Sequence, residues 1–334
     1  MKVAVYTIAK DESQFVKRFM KSCKDADLIL IGVDIRTTDD TKKKLQFYGA
    51  KTIDIDINPW RFDSARNLVL EAIPSDFDVC ISLDLDEVLL DGWRKQLEKQ
   101  WNNNISMLRY IYIYDWSDPE QTIPSITSLG YKIHGRHDYT WQNAVHENLK
   151  YISTKKSELI VISNTIQINH YPDIIKDRTY NSILDRVVQE EPNNAWMSHV
   201  RARELFLYKR YEEAIEESKR YLNLSKAYQS NEEGQTRAET MRIIARSLYI
   251  LHRGDPGEIQ LWMLRSSAEA PNTREAWVYL GEAWVMMNNF PSAYAAFINA
   301  LGIRDRTLSI ECEERCWDDI YVKNMANSSL SQIQ

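Results

Sequence analysis

Four short apolar segments in the first quarter of the chain alternate with amphipathic stretches, and this alternation limits the possible folds more than any other feature. The predicted strands cover residues 3–8, 28–33, 51–57 and 77–83. Helical patterns separate them, and Asp63 is expected to cap the third helix. This order predicts a parallel, doubly wound sheet with helices on both faces. A further strand is predicted at 105–114, followed by a loop-rich stretch to about Asn169.

The second half of the chain changes to a helical period. From Arg178 onward strand patterns are almost absent, and we predict tetratricopeptide-like helix pairs at 202–222 and 238–271. A last pair shows the expected large, small and aromatic residues best, and these are Trp277, Leu280, Gly281, Trp284, Ala293, Phe297 and Ala300. An ordinary helical bundle is the alternative. The predicted domains are residues 1–177 and 178–334.

The composition is compatible with two domains, because the chain has 334 residues and 44% of them are hydrophobic. The formal net charge of -6 provides no global basic field for nucleic acid or an anionic membrane. The sequence contains no apolar run of the roughly 18 residues that a membrane-spanning helix needs, and no signal-peptide pattern. The four cysteines are scattered. We therefore expect a reduced, cytoplasmic protein.

Two acidic residues, Asp84 and Asp86, follow the fourth predicted strand with one residue between them. Alternate residues of an extended chain point to the same side, and open α/β sheets bind ligands at the carboxyl ends of their strands. Two oxygen ligands in this place suit Mg²⁺ or Mn²⁺, which would in turn hold a diphosphate. The alternatives are a pair of solvated acids, or Asp86 as a helix cap.

Other segments near predicted strand ends match motifs of a known enzyme family. Residues 7–12 stand where the family has a strand followed by Asn-Glu, and residues 33–41 resemble its V-D-x-G-S-T-D-G-T motif. Residues 60–67 resemble its Ala-Arg-Asn helix. Together with the D-x-D, they resemble the family-2 glycosyltransferases of the GT-A fold over roughly half of the chain. Bacterial and phage members with a tetratricopeptide tail, such as the sublancin S-glycosyltransferase group, are similar.

The resemblance implies an α/β GT-A (Rossmann-like, nucleotide-diphospho-sugar transferase) domain followed by an all-α tetratricopeptide-like repeat domain. Asp34 would hydrogen-bond the nucleotide base, and Arg66 would line the donor site. Asp84 and Asp86 would hold the metal ion. The further donor-binding residues on this basis are Thr7, Asp63 and Asp84.

Each of these residues also has a plainer interpretation. Asp34 could be a loop acid, and Arg66 could belong to the solvated face of an amphipathic helix. The chain also departs from the family pattern, because Arg36 and Thr37 replace the Gly-Ser and Asp40 replaces the second Gly.

The segment at residues 141–147, which ends in His146 and Glu147, resembles the family's element for acceptor activation. We expect Glu147 to be the general base, because a carboxylate within hydrogen-bond reach can remove the acceptor proton. His146 could orient Glu147, bind the donor phosphate or pack. The alternative for Glu147 is a surface acid after a strand.

Three later residues complete the candidate set. His170 ends a predicted strand, and the resemblance implies a further metal ligand there, an imidazole being acceptable to Mn²⁺. A structural hydrogen bond is the alternative. Arg136, with the neighbouring His134 and His137, is expected to contact the diphosphate or the acceptor.

The sequence therefore predicts an inverting, metal-dependent glycosyltransferase that uses Mn²⁺ or Mg²⁺ and a nucleotide-diphosphate sugar, a UDP-sugar being expected. The acceptor is a hydroxyl or thiol of a peptide, protein or glycan. An alternative is a phage-type enzyme that glycosylates hydroxymethylated DNA bases. In either case the expected location is the cytoplasm of a bacterial cell or phage-infected host. A non-catalytic helical-repeat adaptor is a third hypothesis, which the acids Asp84, Asp86 and Glu147 disfavour. The repeats could also mediate homo-oligomer formation.

Overall fold

The computed structural model of the chain describes residues 1–172, 180–224, 231–252, 255–306 and 311–333. The chain divides into two compact units, Met1–Arg178 and Thr179–Gln334. The predicted domain boundary between residues 177 and 178 lies outside the described residues. Within the described ranges, none of the helices combines the length and the apolar character that crossing a bilayer requires.

The N-terminal unit is a mixed sheet flanked by helices. Its elements, in chain order, are β1 (Val3–Ala9), α1 (Val16–Ser22), β2 (Leu28–Asp34), α2 (Thr41–Phe47), β3 (Lys51–Ile55), α3 (Phe62–Glu71), β4 (Val79–Ser82), β5 (Glu87–Leu89), α4 (Trp93–Gln100), β6 (Met107–Trp116), β7 (Pro124–Gly135), β8 (Tyr139–Gln142), β9 (Asn148–Tyr151) and β10 (Ile160–His170).

Strand order in the large sheet of this unit is β3-β2-β1-β4-β7-β6-β10-β5. The four predicted N-terminal strands are confirmed, and they are mutually parallel neighbours. The expectation of a wholly parallel sheet is wrong, because β7 is antiparallel to both β4 and β6. The stretch predicted as loop-rich also contains β7 to β10. Most residues of β7 are only partly buried, so its sequence lacks the continuous apolar run that marks a central strand.

Both faces of the sheet are buried. Along β1, Val3 and Val5 belong to a core shared with α1, α2 and α4, whereas Ala4 and Tyr6 belong to a second core shared with α3. Successive residues of a strand point to opposite faces. The helices therefore form a layer on each side of the sheet, and the carboxyl edge of the strands remains for the loops.

Helix α3 lies directly against β2 because of a glycine. A methyl group at Gly32 would lie 2.3 Å from Cδ1 of Ile55 and 2.5 Å from Cγ2 of Val69. Any larger residue at this position would push the helix away from the sheet. The close approach fixes α3 beside the ends of β2 and β4.

The one-turn spacing of Phe15, Phe19 and Cys23 predicts a helix over residues 11–23, and the observed α1 is shorter. Asp11 has a left-handed backbone with φ of 51°, and its Oδ1 accepts a hydrogen bond from the Thr38 amide at 2.7 Å. The loop after β1 is thus tied to the loop after β2. A local helical pattern gives way here to a contact between loops.

The C-terminal unit is helical over most of its described residues. Its elements are α5 (Asn181–Glu190), α6 (Ala195–Leu207), α7 (Tyr211–Leu224), α8 (Asn231–Ile250), α9 (Pro256–Glu269), α10 (Arg274–Met286), α11 (Phe290–Gly302), β11 (Glu311–Glu313), α12 (Glu314–Trp317) and α13 (Asp319–Ser331). The predicted helix pairs are found, since α6 packs on α7, α8 on α9 and α10 on α11.

The last pair is closely packed because a small residue faces an aromatic ring. Gly281 of α10 lies under Phe297 of α11, and a methyl group at Gly281 would lie 2.6 Å from Cε1 of that ring. Phe297 is fully buried, as are Ala293 and Ala300 on the same helix. Small residues at this seam set the distance between the two helices.

We therefore expect Gly281→Ala to lower the free energy of unfolding by about 1–3 kcal/mol, because the added methyl group overpacks the seam. Urea unfolding of the full-length chain measures the change. Gly302→Ala is the matched control, since no atom lies within 4 Å of its added methyl group and alanine favours a helix. Equal stability of the two variants would contradict the packing at Phe297.

Candidate active site

The carboxyl ends of several strands share one edge of the sheet. β1, β2 and β4 are parallel, and β6 and β10 run in the same direction because β7 is antiparallel to its two neighbours. This edge therefore carries Asp34 at the end of β2, the D-x-D after β4, and His170 at the end of β10. The structure thus brings these predicted residues to the edge at which open α/β sheets bind ligands.

Arg66 is buried at this edge, with 4% of the residue exposed. Its Nη2 donates to Oδ1 of Asp84 at 2.6 Å, and its Nε donates to Oε1 of Glu147. Its Nη1 donates to Oγ of Ser82 at 3.0 Å, and the guanidinium lies 5.1 Å from the ring centroid of Trp141. Burial alone would lower the pKa of Arg66, but the charges of Asp84 and Glu147 raise it well above its ordinary value.

Helix α3 buries Arg66, and its buried face differs from the one that the sequence pattern predicts. The apolar spacing in the sequence predicts a buried face of Ala65, Leu68, Val69 and Ala72. The observed buried residues are Asp63, Ala65, Arg66, Val69 and Leu70. Leu68 and Ala72 are exposed. The alternative of a solvated arginine is therefore wrong. Compensating carboxylates let a charged side chain replace an apolar one on the buried stripe.

Asn67, the next residue of α3, holds the β8–β9 hairpin against the helix. Its Oδ1 accepts the Trp141 amide at 2.8 Å and the Thr140 hydroxyl at 3.0 Å, and its Nδ2 donates to the Trp141 carbonyl at 2.9 Å. The Phe62 amide donates to the Ala144 carbonyl at 2.8 Å. The Ala-Arg-Asn segment therefore positions the loop that carries His146 and Glu147.

That loop, residues 143–147, turns sharply between β8 and β9. Asn143 and His146 have left-handed φ values of 76° and 47°, which residues with a Cβ adopt rarely unless the surrounding structure enforces them. The side chain of Glu147 is 12% exposed, and Arg66 anchors its Oε1. Its Oε2 accepts no hydrogen bond from the described part of the chain. One carboxylate oxygen is thus fixed and the other is available to an incoming group.

The D-x-D belongs to an acidic turn made by Asp84, Asp86 and Glu87. Oδ2 of Asp84 accepts from Nζ of Lys132 at 2.9 Å, and its Oδ1 lies 3.4 Å from the Thr7 hydroxyl. The side chain of Asp84 is 34% exposed. Burial would raise the pKa of Asp84, but the Arg66 and Lys132 cations hold it well below its ordinary range.

Lys132 and Glu87 are functional candidates that sequence reasoning missed. Lys132 lies on β7, a strand that the sequence did not reveal, and Glu87 directly follows the D-x-D. Its position as a third acid directly after the D-x-D could have identified Glu87 from the sequence. Lys132 offered no such signal, because a lysine in a partly exposed strand is usually solvated.

Asp86 faces His170. Its Oδ2 lies 3.4 Å from Nε2 of His170, whose Nδ1 lies 2.9 Å from the Tyr114 carbonyl. When Nδ1 donates its proton to this carbonyl, a protonated Nε2 donates to Asp86, whereas the neutral ring presents its Nε2 lone pair at the same place. Burial would lower the pKa of His170, but the hydrogen bond and charge of Asp86 raise it above its ordinary value.

These two side chains form a candidate site for a divalent metal ion. Asp86 and His170 combine an oxygen and a nitrogen donor, a set that Mn²⁺ accepts. Both oxygens of Asp84 already accept hydrogen bonds from cations. The described residues contain no group of three or more His, Cys, Asp or Glu that could hold a metal ion. Metal ions that bind substrate phosphates often have only one or two protein ligands.

Asp34 and Asp63 bind neighbouring arginines. The Arg36 amide and its Nε donate to Oδ1 of Asp34 at 2.9 and 2.7 Å. Burial would raise the pKa of Asp34, but these hydrogen bonds lower it. Asp63 is not the helix cap that was expected, because Arg61 has the extended backbone that precedes α3. Asp63 lies in the first turn and pairs with Arg61 at 2.9 Å.

The structure does not bring Arg136 to this edge. β7 is antiparallel to β4, so its end at Gly135 lies beside the start of β4. Nη2 of Arg136 donates to the Ile73 carbonyl at 2.7 Å and to the Glu71 carbonyl at 3.3 Å, at the end of α3. This basic residue satisfies carbonyl groups at a helix end. The expectation that Arg136 contacts a diphosphate is corrected accordingly.

His134 and His137 also lie away from the site. His134 is fully buried, with Nε2 at 2.9 Å from the Tyr6 hydroxyl and Nδ1 at 3.0 Å from the Gly135 carbonyl. Burial lowers the pKa of His134 to about 4. His137 is exposed, and its Nε2 lies 3.0 Å from the Ser75 carbonyl.

No protein-family model matches the sequence, and no curated protein matches it. A crystal structure of the MamA protein is similar at 15% identity, covering 46% of this chain and 76% of that chain, with a TM-score of 0.32. A second crystal structure of MamA is similar at 14% identity, covering 45% of this chain and 81% of that chain, with a TM-score of 0.32.

The buried His134 generates a prediction about pH. The unfolded histidine binds a proton near pH 6.5, and the folded one near pH 4. Between these values the unfolded state holds more protons, so stability falls as the pH drops. We expect His134 to contribute up to about 3 kcal/mol to this fall.

Urea unfolding between pH 4.5 and 7.5, a range chosen around the ordinary histidine value, measures the effect. His134→Gln should be less stable at neutral pH but should lose less stability on acidification. His137→Gln is the control for the loss of an exposed imidazole. Parallel profiles for wild type and His134→Gln would refute the buried neutral histidine.

Proposed function

We propose that the N-terminal unit is a metal-dependent, inverting glycosyltransferase of the GT-A fold that uses a nucleotide-diphosphate sugar. The observation that carries the proposal is the position of Arg66, which joins Asp84 of the D-x-D to Glu147 at the carboxyl edge of the sheet. The two elements are far apart in the sequence. Their meeting at one buried cation supports a common site for a donor diphosphate and an acceptor.

Asp86 and His170 are the residues that would hold Mn²⁺ or Mg²⁺. When bound, the metal ion neutralises charge that develops on the leaving diphosphate. The charge balance of the site supports this assignment. The cluster has four carboxylates, those of Asp84, Asp86, Glu87 and Glu147. The permanent cations that act on them include Arg66, Lys132 and, near Asp86, Arg18. A diphosphate anion would be repelled from such a cluster without additional positive charge.

Glu147 is the proposed general base. Its free Oε2 takes the proton from the acceptor hydroxyl or thiol as that atom attacks the anomeric carbon. The bond from the anomeric carbon to the diphosphate oxygen breaks in the same step, and the nucleoside diphosphate leaves with that electron pair. A single displacement inverts the anomeric configuration, so one base suffices.

Asp34 is proposed to bind the nucleotide base, and the expected donor is a UDP-sugar. Arg36 fixes Oδ1 of Asp34, and its guanidinium lies 5.2 Å from the ring centroid of Trp60. The arginine that replaces the family's glycine thus braces the base-binding acid rather than blocking it. Thr7, Asp63 and Arg66 support the same donor site from β1 and α3.

The helix pairs of the C-terminal unit are proposed to be tetratricopeptide-like repeats. The contact of Gly281 with Phe297 supports this, because the repeat needs a small residue under an aromatic ring at this seam. Such repeats present a concave surface that suits a peptide or protein. We therefore propose a peptide or protein acceptor.

A donor screen tests the function directly. Incubation of the full-length chain with Mn²⁺ and a panel of nucleotide sugars should release nucleoside diphosphate from one donor, with UDP as the expected nucleotide. Asp86→Asn should weaken Mn²⁺-dependent UDP binding at least about tenfold, because one metal ligand loses its charge.

Calorimetry with UDP, with Mn²⁺ and with chelator, measures this binding. Asp76→Asn is the control, because that acid is exposed and pairs with Lys2. Equal UDP affinity for wild type with Mn²⁺ or chelator, or for Asp86→Asn and wild type, would remove the metal assignment. Release from none of the donors would count against the enzyme itself.

Glu147→Gln should lower the rate of sugar transfer about 10²- to 10⁴-fold while donor affinity is retained. The substitution is nearly isosteric, and its amide oxygen can still accept the hydrogen bond from Arg66. Single-turnover transfer to an identified acceptor measures the rate. Glu71→Gln, an exposed acid at the end of α3, should transfer at the wild-type rate. Transfer by Glu147→Gln at the wild-type rate would mean that the base lies elsewhere.

A further inference from the structure

Lys132 places a fixed positive charge inside the acidic turn. Its Nζ donates to Oδ2 of Asp84 at 2.9 Å and to Oε1 of Glu87 at 3.0 Å. The side chain is 18% exposed. Burial would lower the pKa of Lys132, but the two carboxylates raise it well above its ordinary value. The ammonium group is therefore a constant part of the turn at physiological pH.

Glu87 is bound on all sides and braces the turn. It is 1% exposed, and its Oε2 accepts the Asp84 amide at 2.9 Å. Its Oε1 accepts the Tyr112 hydroxyl at 2.7 Å as well as the ammonium of Lys132. Each oxygen of this buried carboxylate is thus used for structure. Glu87 holds Lys132 in place as much as Lys132 compensates Glu87.

A glycine on β7 lets an aromatic ring pack close to the part of the strand that carries Lys132. A methyl group at Gly130 would lie 2.1 Å from Cε2 of Tyr110, so only glycine lets that fully buried ring cross β7. The strand is irregular between Gly130 and Ile133, and Tyr110 hydrogen-bonds the backbone of Lys132 there. The packed ring therefore lies beside Lys132.

We propose that Lys132 is a positioning residue that occupies the Asp84 and Glu87 side of the acidic turn and thereby confines a divalent metal ion to Asp86 and His170. The proposal rests on the proposed function for the presence of a metal ion. Asp84 and Glu87 neutralise the ammonium and fix the turn, while Asp86 lies 3.4 Å from His170. The two acids of the D-x-D therefore have different tasks.

The first test removes the ammonium group. Mn²⁺ binding to the full-length chain without nucleotide is followed by calorimetry and by the electron paramagnetic resonance signal of free Mn²⁺. Lys132→Met should bind Mn²⁺ at least about tenfold more tightly, because Asp84 becomes available to the ion and a nearby positive charge is lost. Lys132→Arg keeps the charge and should resemble wild type.

Lys150→Met is the matched control, because Lys150 is an exposed cation on β9. Its Mn²⁺ affinity should equal that of wild type. An unchanged or weaker affinity in Lys132→Met would overturn the proposal.

A double variant tests whether Asp84 is a metal ligand, even if Lys132→Met does not fold. Asp84→Asn combined with Lys132→Met removes both members of the pair and leaves no unpaired ammonium at this side of the turn. If Asp84 is not a metal ligand in wild type, this variant should bind Mn²⁺ within about threefold of wild type. A loss of about tenfold or more would show that the ion displaces Lys132 and uses Asp84, which would refute the confinement.

These outcomes are separate from those of the donor screen, because Mn²⁺ binding is measured without a sugar donor or an acceptor. An inactive protein with the expected Mn²⁺ affinities would leave Lys132 in its role and remove the transferase. Tighter binding in Lys132→Met when wild type binds no Mn²⁺ would still support the proposal. Absence of Mn²⁺ binding in wild type and in every variant would overturn it.

Discussion

A buried guanidinium is stable only where carboxylates compensate its charge, and much of the N-terminal unit is organised around this requirement at Arg66. The same side chain reaches the turn after β4 and the loop between β8 and β9. Loss of one partner of such a buried pair typically lowers the free energy of unfolding by about 3–5 kcal/mol, because the remaining charge is left buried without compensation. The contacts that stabilise this edge are therefore the ones that bring Asp84 and Glu147 together.

The acidic turn shows how burial assigns different tasks to neighbouring carboxylates. Glu87 is fully buried and its oxygens brace the turn, whereas Asp84 keeps 34% of its side chain exposed between two cations. Asp86 is buried against His170 instead. Like charges so close in the chain repel one another strongly in a medium of low dielectric constant. Lys132 and Arg66 compensate these charges and so make the arrangement possible.

Local pattern alone predicted a large part of the fold. The strands that begin at Val3, Leu28 and Val79 are continuous apolar runs, as expected for strands buried on both faces. The helix pair around Gly281 and Phe297 could also be predicted, because the repeat pattern places a small residue and its aromatic partner at a fixed separation in the sequence. Positions at strand ends identified Asp34, Asp84 and Asp86, since the carboxyl edge of a parallel sheet follows from strand order.

The sequence by itself thus determined the helix and strand periods, the change of architecture between the two halves and the residue types at the carboxyl edge. Tertiary structure decided that β7 enters the sheet antiparallel, that Arg66 replaces an apolar residue on the buried face of α3, and that Arg136 lies at the opposite edge. It also decided that Lys132 meets Asp84. The reason is that strand pairing and charge compensation depend on residues far apart in the chain, so a buried cation cannot be distinguished from a solvated one until its partners are in place.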